Sequence, residues 1–211
     1  MRLPSQTTVP ARSGTQRSAI AEGILDAAER LAQTRGFNGF SYADIAAQLS
    51  VTKASLHYHF PSKADLGHAL IERYSRVFAQ ALAAIDAHTE DAGEKLKRYV
   101  RLYDDVMSSE RMCLCGMLAA EYATLPVAMQ DELRSFFDAN ERWLTDVLEE
   151  GRRAGRLTFR ESARKRAQAV LGALEGAMLV ARAYGDVRRF RSTAAQVLAD
   201  LGVERPRAAH A

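Results

Sequence analysis

Between Ile45 and Ala64 the chain has no acidic residue, while Lys53, His57, His59 and Lys63 all fall inside that window. Affinity for a polyanion depends on the charge at one face, so a local acid-free stretch means more than the total charge of +3 over 211 residues. Lys53 and Lys63 supply charge, the hydroxyls of Ser55 and Tyr58 can bond phosphate oxygens or base edges, and Ala54 is small enough for a backbone to come close to a phosphate. A second group with chemical potential is Cys113-Leu114-Cys115-Gly116. At the start of a predicted helix and just after Arg111, Cys113 is expected to have a lowered pKa and a raised thiolate fraction. The plain alternative is that both thiols are small core hydrophobes. Their spacing and the lack of neighbouring histidines do not suit zinc, so no metal and no cofactor are expected. There is no HExxH, no glycine-rich phosphate loop and no Ser or Cys with a nearby His base, and His88 and His210 sit in a loop-like stretch and a tail; no enzyme is expected.

The elements that position these residues follow from periodicity and caps. Ile20, Ile24, Ala28 and Leu31 recur at helical spacing from Arg17 to the stop at Gly36. Ser41 with Asp44 is a capping pair opening a helix to Leu49, and Thr52 is the N-cap of another over Lys53–Phe60, ended by Pro61. Two capped helices joined by a tight turn are the parts of a helix-turn-helix, whose second helix enters the major groove. A merely solvated basic face, or a generic helical corner, is the bland alternative. Ser62 with Asp65 opens a long helix with Leu66, Leu70, Tyr74, Phe78 and Leu82 on one stripe. Further helices are expected at 94–107, 113–124, 127–150 (broken by Gly151 and Gly155), 162–184 and 187–201.

Composition agrees with an all-α protein: 47% hydrophobic and 26% charged residues, five prolines, and few β-branched runs. No apolar run approaches the ~20 residues of a membrane span. The polar N-terminus is no secretory signal and two close cysteines are no disulfide framework, so a cytoplasmic location is expected. The expected division is a disordered arm (1–16), a helix-turn-helix domain (17–62), an effector-binding and dimerisation domain (63–203) and a tail (204–211).

The strings Phe40-Ser41-Tyr42-Ala43-Asp44-Ile45-Ala46, Val51 to Phe60 and Ser62-Lys63-Ala64-Asp65-Leu66 resemble the DNA-binding domain of the tetracycline-repressor (TetR-type) family of bacterial transcriptional regulators. The resemblance implies a homodimeric, all-helical repressor, released from palindromic operator DNA by a small-molecule effector. By position it implies DNA contacts from Ser41, Thr52, Lys53, Ala54, Ser55, His57, Tyr58, His59 and Lys63. Ser50 and Ala54 stand where the family often has Gly, and His57 where Tyr is common. Cys113 to Glu121 is similar to a subgroup that includes electrophile- and redox-sensing repressors, which makes modification of Cys113 or Cys115 the alternative switch. Tyr103, Met107, Met117, Tyr122, Phe137 and Trp143 are the sort of side chains that line an apolar effector pocket, and equally the sort that fill a core. For the dimer interface the expected stripes are Ala167, Leu171, Leu174, Met178 and Ala181 on one helix and Phe190, Ala194, Val197 and Leu201 on the next. Alternatively these close the subunit's own core. A small all-α enzyme and a DNA-coating protein without an effector are the competing functional classes.

Overall fold

The computed structural model describes residues 14–203. Its α-helices are α1 (Gly14–Arg35), α2 (Tyr42–Leu49), α3 (Lys53–His59), α4 (Lys63–His88), α5 (Ala92–Ser108), α6 (Leu114–Ala120), α7 (Val127–Arg153), α8 (Ala163–Tyr184) and α9 (Val187–Ala199), with a 3₁₀ turn at Tyr122–Thr124. The all-α class and the division into a small N-terminal helical module and a larger body are as the sequence implies. The first helix begins three residues before Arg17, so the expected arm is shorter than 1–16; its remainder, and the expected tail, lie outside the described residues.

The module is built by its caps. Asp44 accepts from the Ser41 N–H (2.8 Å) and Oγ (2.6 Å), Thr52 Oγ1 accepts from the Ser55 N–H (3.2 Å), and the Ser62 N–H (2.9 Å) and Oγ (2.7 Å) donate to Asp65. Ile24, Ala28, Ile45 and Leu56 are then fully buried, the module's share of one hydrophobic core that continues into the body. Between α2 and α3 the chain turns at Ser50, which has φ 54° and ψ 39°. That left-handed conformation costs a non-glycine residue about 1–2 kcal/mol.

In the body two boundaries differ from expectation. Gly151 does not break its helix: α7 continues to Arg153, because Leu157 and Ala92 pack where a side chain at 151 would stand. The break falls at Gly155, with φ +66°. The helix expected over 113–124 is instead the seven-residue α6, a bend at Glu121 and the 3₁₀ turn. Gln130 holds the turn, its Nε2 donating to the carbonyls of Tyr122 (3.1 Å) and Leu125 (3.0 Å).

Module and body meet chiefly along α1. Arg73 on α4 bonds Glu22 (3.2 Å), Asp26 (2.7 Å) and Glu29 (2.7 Å), three successive turns of α1. At the C-terminal end of α1 the Gln33 carbonyl accepts from the Met112 N–H (3.2 Å) and from Arg182 Nη1 (3.0 Å), and Arg182 Nη2 donates to the Thr34 carbonyl. The Asn38 N–H donates to Glu121 Oε2 (3.0 Å).

Ser50→Gly relieves the left-handed strain in the turn and is expected to stabilise the fold by about 1 kcal/mol. Urea denaturation reads this directly; a variant no more stable than the wild type would show that the turn is not strained.

Candidate functional site

The face of α3 is held outward by a bonded frame. Tyr42, from the start of α2, is buried, and its hydroxyl lies 2.7 Å from both the Phe60 and Ser62 carbonyls, tying α2 to the α3–α4 corner. Burial, with the Asp65 carboxylate second, raises the Tyr42 pKa to about 12, so it remains a neutral donor. Leu56 is fully buried and fixes the inner face of α3. Thr52, Lys53, Ala54, His57 and Tyr58 are exposed, Tyr58 at 61%, while Ser55 and His59 are half-buried at the edge. The exposed part of the acid-free window is therefore the outer side of α3.

Two predicted contact residues sit differently from their simple reading. Lys63 is half-buried: its Nζ donates to the Phe40 carbonyl and lies 4.8 Å from the Phe37 ring centroid and 4.4 Å from that of Phe40. Burial lowers its pKa. It braces the start of α4 against the α1–α2 loop rather than reaching free into solvent. The His57 ring packs on Tyr42 (centroids 4.8 Å apart), and its Nδ1 lies 3.1 Å from the Pro61 carbonyl. A carbonyl only accepts, so Nδ1 carries the proton. Neither brace was evident in the sequence, because each partner is a backbone carbonyl that helical periodicity does not reveal. Ser41 is exposed at the N-cap of α2.

The cysteines are not where a reactive thiol should be. Cys113 is the N-cap of α6, its Sγ accepting from the Gly116 N–H (3.4 Å), and the Tyr74 hydroxyl donates to the same sulfur (3.7 Å). Both donors favour a thiolate. Burial outweighs them and, with the nearby Glu175 carboxyl, holds the Cys113 pKa well above its ordinary value; burial does the same to Cys115. The expected lowering at Cys113 is therefore corrected. Arg111 does not support a thiolate either: its Nη1 donates to Gln33 Oε1 on α1 (3.4 Å).

Beside Cys113 stands Glu175 of α8, which sequence reasoning passed over because a glutamate on a long helix reads as a solvated face. Burial raises its pKa to about 7, against a lowering from its bond with the Cys113 thiol, and its Oε1 is buried without a partner.

The expected effector-lining residues do not converge on one cavity. Tyr103 is buried and bonds Tyr99 (3.0 Å), and Trp143 stacks on Tyr99 while its Nε1 donates to Asp86 (2.9 Å); these belong to an aromatic core. Met107 and Met117 are half-buried against that core, and Tyr122 bonds Arg134 near the surface. Phe137 lines a cleft of about 470 Å³ between α6, α7 and α8, away from the rest of the set. Another cleft of about 360 Å³, walled by Ile71, Phe78, Leu82 and Phe136, lies between α4 and α7.

The predicted dimer stripes are also displaced. Ala167, Leu171, Leu174, Met178 and Ala181, with Phe190, Ala194 and Leu201, are buried within the subunit, and Val197 is partly so. These stripes close the subunit's own core. The outward face of α8 instead carries Leu179 (48% exposed) and Val180 (51%), with open space beside Gly172 and Gly176.

Comparison with known proteins gives the geometry a context. Residues 24–70 match the family described as bacterial regulatory proteins, tetR family, and residues 81–196 match the C-terminal domain described as transcriptional regulator LmrA/YxaF-like. A crystal structure of a TetR-family transcriptional regulator from Agrobacterium tumefaciens superposes with a TM-score of 0.85 at 34% identity, covering 88% of this chain and 98% of that one. The transcriptional regulator AcuR of Cereibacter sphaeroides is 28% identical over 82% of this chain and 78% of its own length. The HTH-type transcriptional repressor NemR of Escherichia coli is 26% identical over 76% of this chain and 83% of its own.

Glu175 gives a pH-dependent prediction. Its carboxyl titrates near 4.5 when unfolded and about 7 when folded, so the native state binds the proton more tightly. Its contribution to stability is complete below pH 4.5 and declines as the pH rises towards 7. Glu175→Gln has no proton to lose, so relative to the wild type it is expected to gain about 2 kcal/mol between pH 5 and 8. Urea denaturation at both pH values checks this, and parallel pH profiles for the two proteins would refute the buried titration.

Proposed function

The chain belongs to the tetR family of bacterial regulatory proteins and is a DNA-binding transcriptional regulator, and we propose that it works as a homodimeric repressor released from a palindromic operator by a small-molecule effector. The observation that carries this reading is the outward face of α3, which presents Lys53, Ala54 and Tyr58 without a carboxylate anywhere in the surrounding window. Lys53 meets phosphate, Ser41 and Thr52 bond backbone oxygens beside it, and Ser55, Tyr58 and the Nε2 edges of His57 and His59 read bases. Lys63 supports this set from behind. Two copies of α3 held by one two-fold axis require an inverted repeat with half-site centres about one helical turn, or a multiple of it, apart.

For the two-fold contact the outward face of α8 towards its C-terminal end is the best-supported candidate, since Gly176 lets a partner helix come close and Val180 and Tyr184, one and two turns on, bring apolar surface. Modification of Cys113 or Cys115 is the second reading, favoured by the place of Cys113 next to the Met112 N–H that bonds the end of α1. The burial and raised pKa of both thiols favour a noncovalent effector over it.

Lys53→Ala is expected to weaken operator binding uniformly across sequences and to lower the salt slope by about one phosphate, whereas Tyr58→Ala changes sequence preference. Fluorescence anisotropy over a salt series, with footprinting, measures both. A single half-site footprint, or an unaltered salt slope in Lys53→Ala, would contradict the assignment.

A further inference from the structure

The cleft between α6, α7 and α8 has a feature that a plain packing defect lacks. Its walls are formed by Ala119, Ala120, Phe137, Leu171, Gly172 and Leu179, and Glu175 reaches into it from α8. The Glu175 carboxyl passes over Gly116, occupying the space that any side chain there would need. One oxygen, Oε1, is buried and has no partner. A second carboxylate, Glu141, lies on the lining and accepts from Gln168 Nε2 (3.1 Å). No Lys, Arg or His is among the lining residues.

A buried carboxyl oxygen without a partner is costly unless something completes it. The groups facing Glu175 supply no counter-charge: Cys113, whose thiol bonds the carboxyl, caps α6 and Cys115 lies in its first turn, Tyr74 comes from α4, Tyr99 and Tyr103 from α5 and Glu141 from α7, and all are neutral or anionic. The volume of about 470 Å³ lies in the range of small-molecule sites. We propose that this cleft binds an organic cation, its ammonium group against the Glu175 carboxylate and an apolar alkyl or aryl body against Phe137, Leu171 and Leu179. An organic anion would meet two carboxylates and no counter-charge. A neutral alcohol could hydrogen-bond the carboxylate but without the ionic contribution. The inference deepens the effector reading above by naming the chemical class of the ligand, and rests on it only for the consequence at the operator.

The cation pairs with ionised Glu175, so affinity rises with pH through about 7, where the free carboxyl titrates. The probe is 2-phenylethylamine, with 2-phenylethanol and 3-phenylpropionate as neutral and anionic counterparts, titrated calorimetrically into the full chain without DNA. The amine is expected to bind at least about ten-fold more tightly than the alcohol at pH 8, to lose most of that advantage at pH 6, and to lose it at both in Glu175→Gln; the carboxylate does not bind. Ala119→Phe, which fills the cleft from the exposed side of α6, tests the same site without altering the carboxyl, and is expected to abolish amine binding in a protein whose melting temperature is unchanged. Equal affinity for amine and alcohol, an amine preference that survives in Glu175→Gln, or binding unaffected by Ala119→Phe would overturn the proposal, as would no binding of any of the three compounds. Calorimetry without DNA reports on the cleft alone, so its failure is separable from failure of the operator assay.

Discussion

The last turn of a helix leaves carbonyl groups with no partner in the helix itself, and at the end of α1 the body of the protein supplies the partners. The Gln33 carbonyl takes both the Met112 N–H and Arg182 Nη1, and the adjacent Thr34 carbonyl takes the other arm of the same guanidinium. Bonds to a charged donor are worth about 1.5–3 kcal/mol. Because α1 packs on α2, and α2 on α3, this one seam, with Arg73 gripping the carboxylates of its preceding turns, sets where the DNA-reading surface stands relative to everything else. The frame around Tyr42 can only aim α3 within the module; it cannot aim the module.

The same seam gives α6 its importance. Met112 immediately precedes the Cys113 cap, and Glu121 at the other end of the helix bonds Asn38 in the α1–α2 loop, so both ends of α6 touch the module. One wall of the cleft that contains Glu175 is α6 itself. A ligand able to shift a regulator must bind its two arrangements with different affinity. Here a ligand seated against α6 presses on the segment that orients α1, and no separate relay through the core is needed. Either proposed trigger, a noncovalent effector or a modified thiol, acts on that same element.

The DNA-reading module was largely readable from sequence because its determinants are local: Ser41 with Asp44, Thr52, and Ser62 with Asp65 each declare a helix start within four residues. The strain at Ser50 was readable too, as a departure from glycine. What sequence could not supply was anything decided by a distant partner. Lys63 and His57 looked like outward cations, yet each is engaged by a backbone carbonyl. Cys113 has the helix-terminus donor that predicted a thiolate, and burial reverses the outcome. On α8 periodicity picked out the apolar stripe from Ala167 to Ala181, but could not say whether it faces a partner or the subunit's own α7 and α9; it is buried within the subunit. Glu175 was invisible for the same reason, since its burial depends on the absent side chain of Gly116, which lies on a different helix.

The most direct test of the seam is operator affinity in Arg182→Ala, measured by anisotropy over a range of salt. Arg182 lies on α8 and bonds only the end of α1 among its hydrogen-bonded partners in the described residues, so its loss removes no phosphate contact. The account predicts an operator affinity at least about ten-fold lower with an unchanged salt slope, since the module is misaimed rather than discharged. Wild-type affinity in a folded Arg182→Ala protein would contradict it.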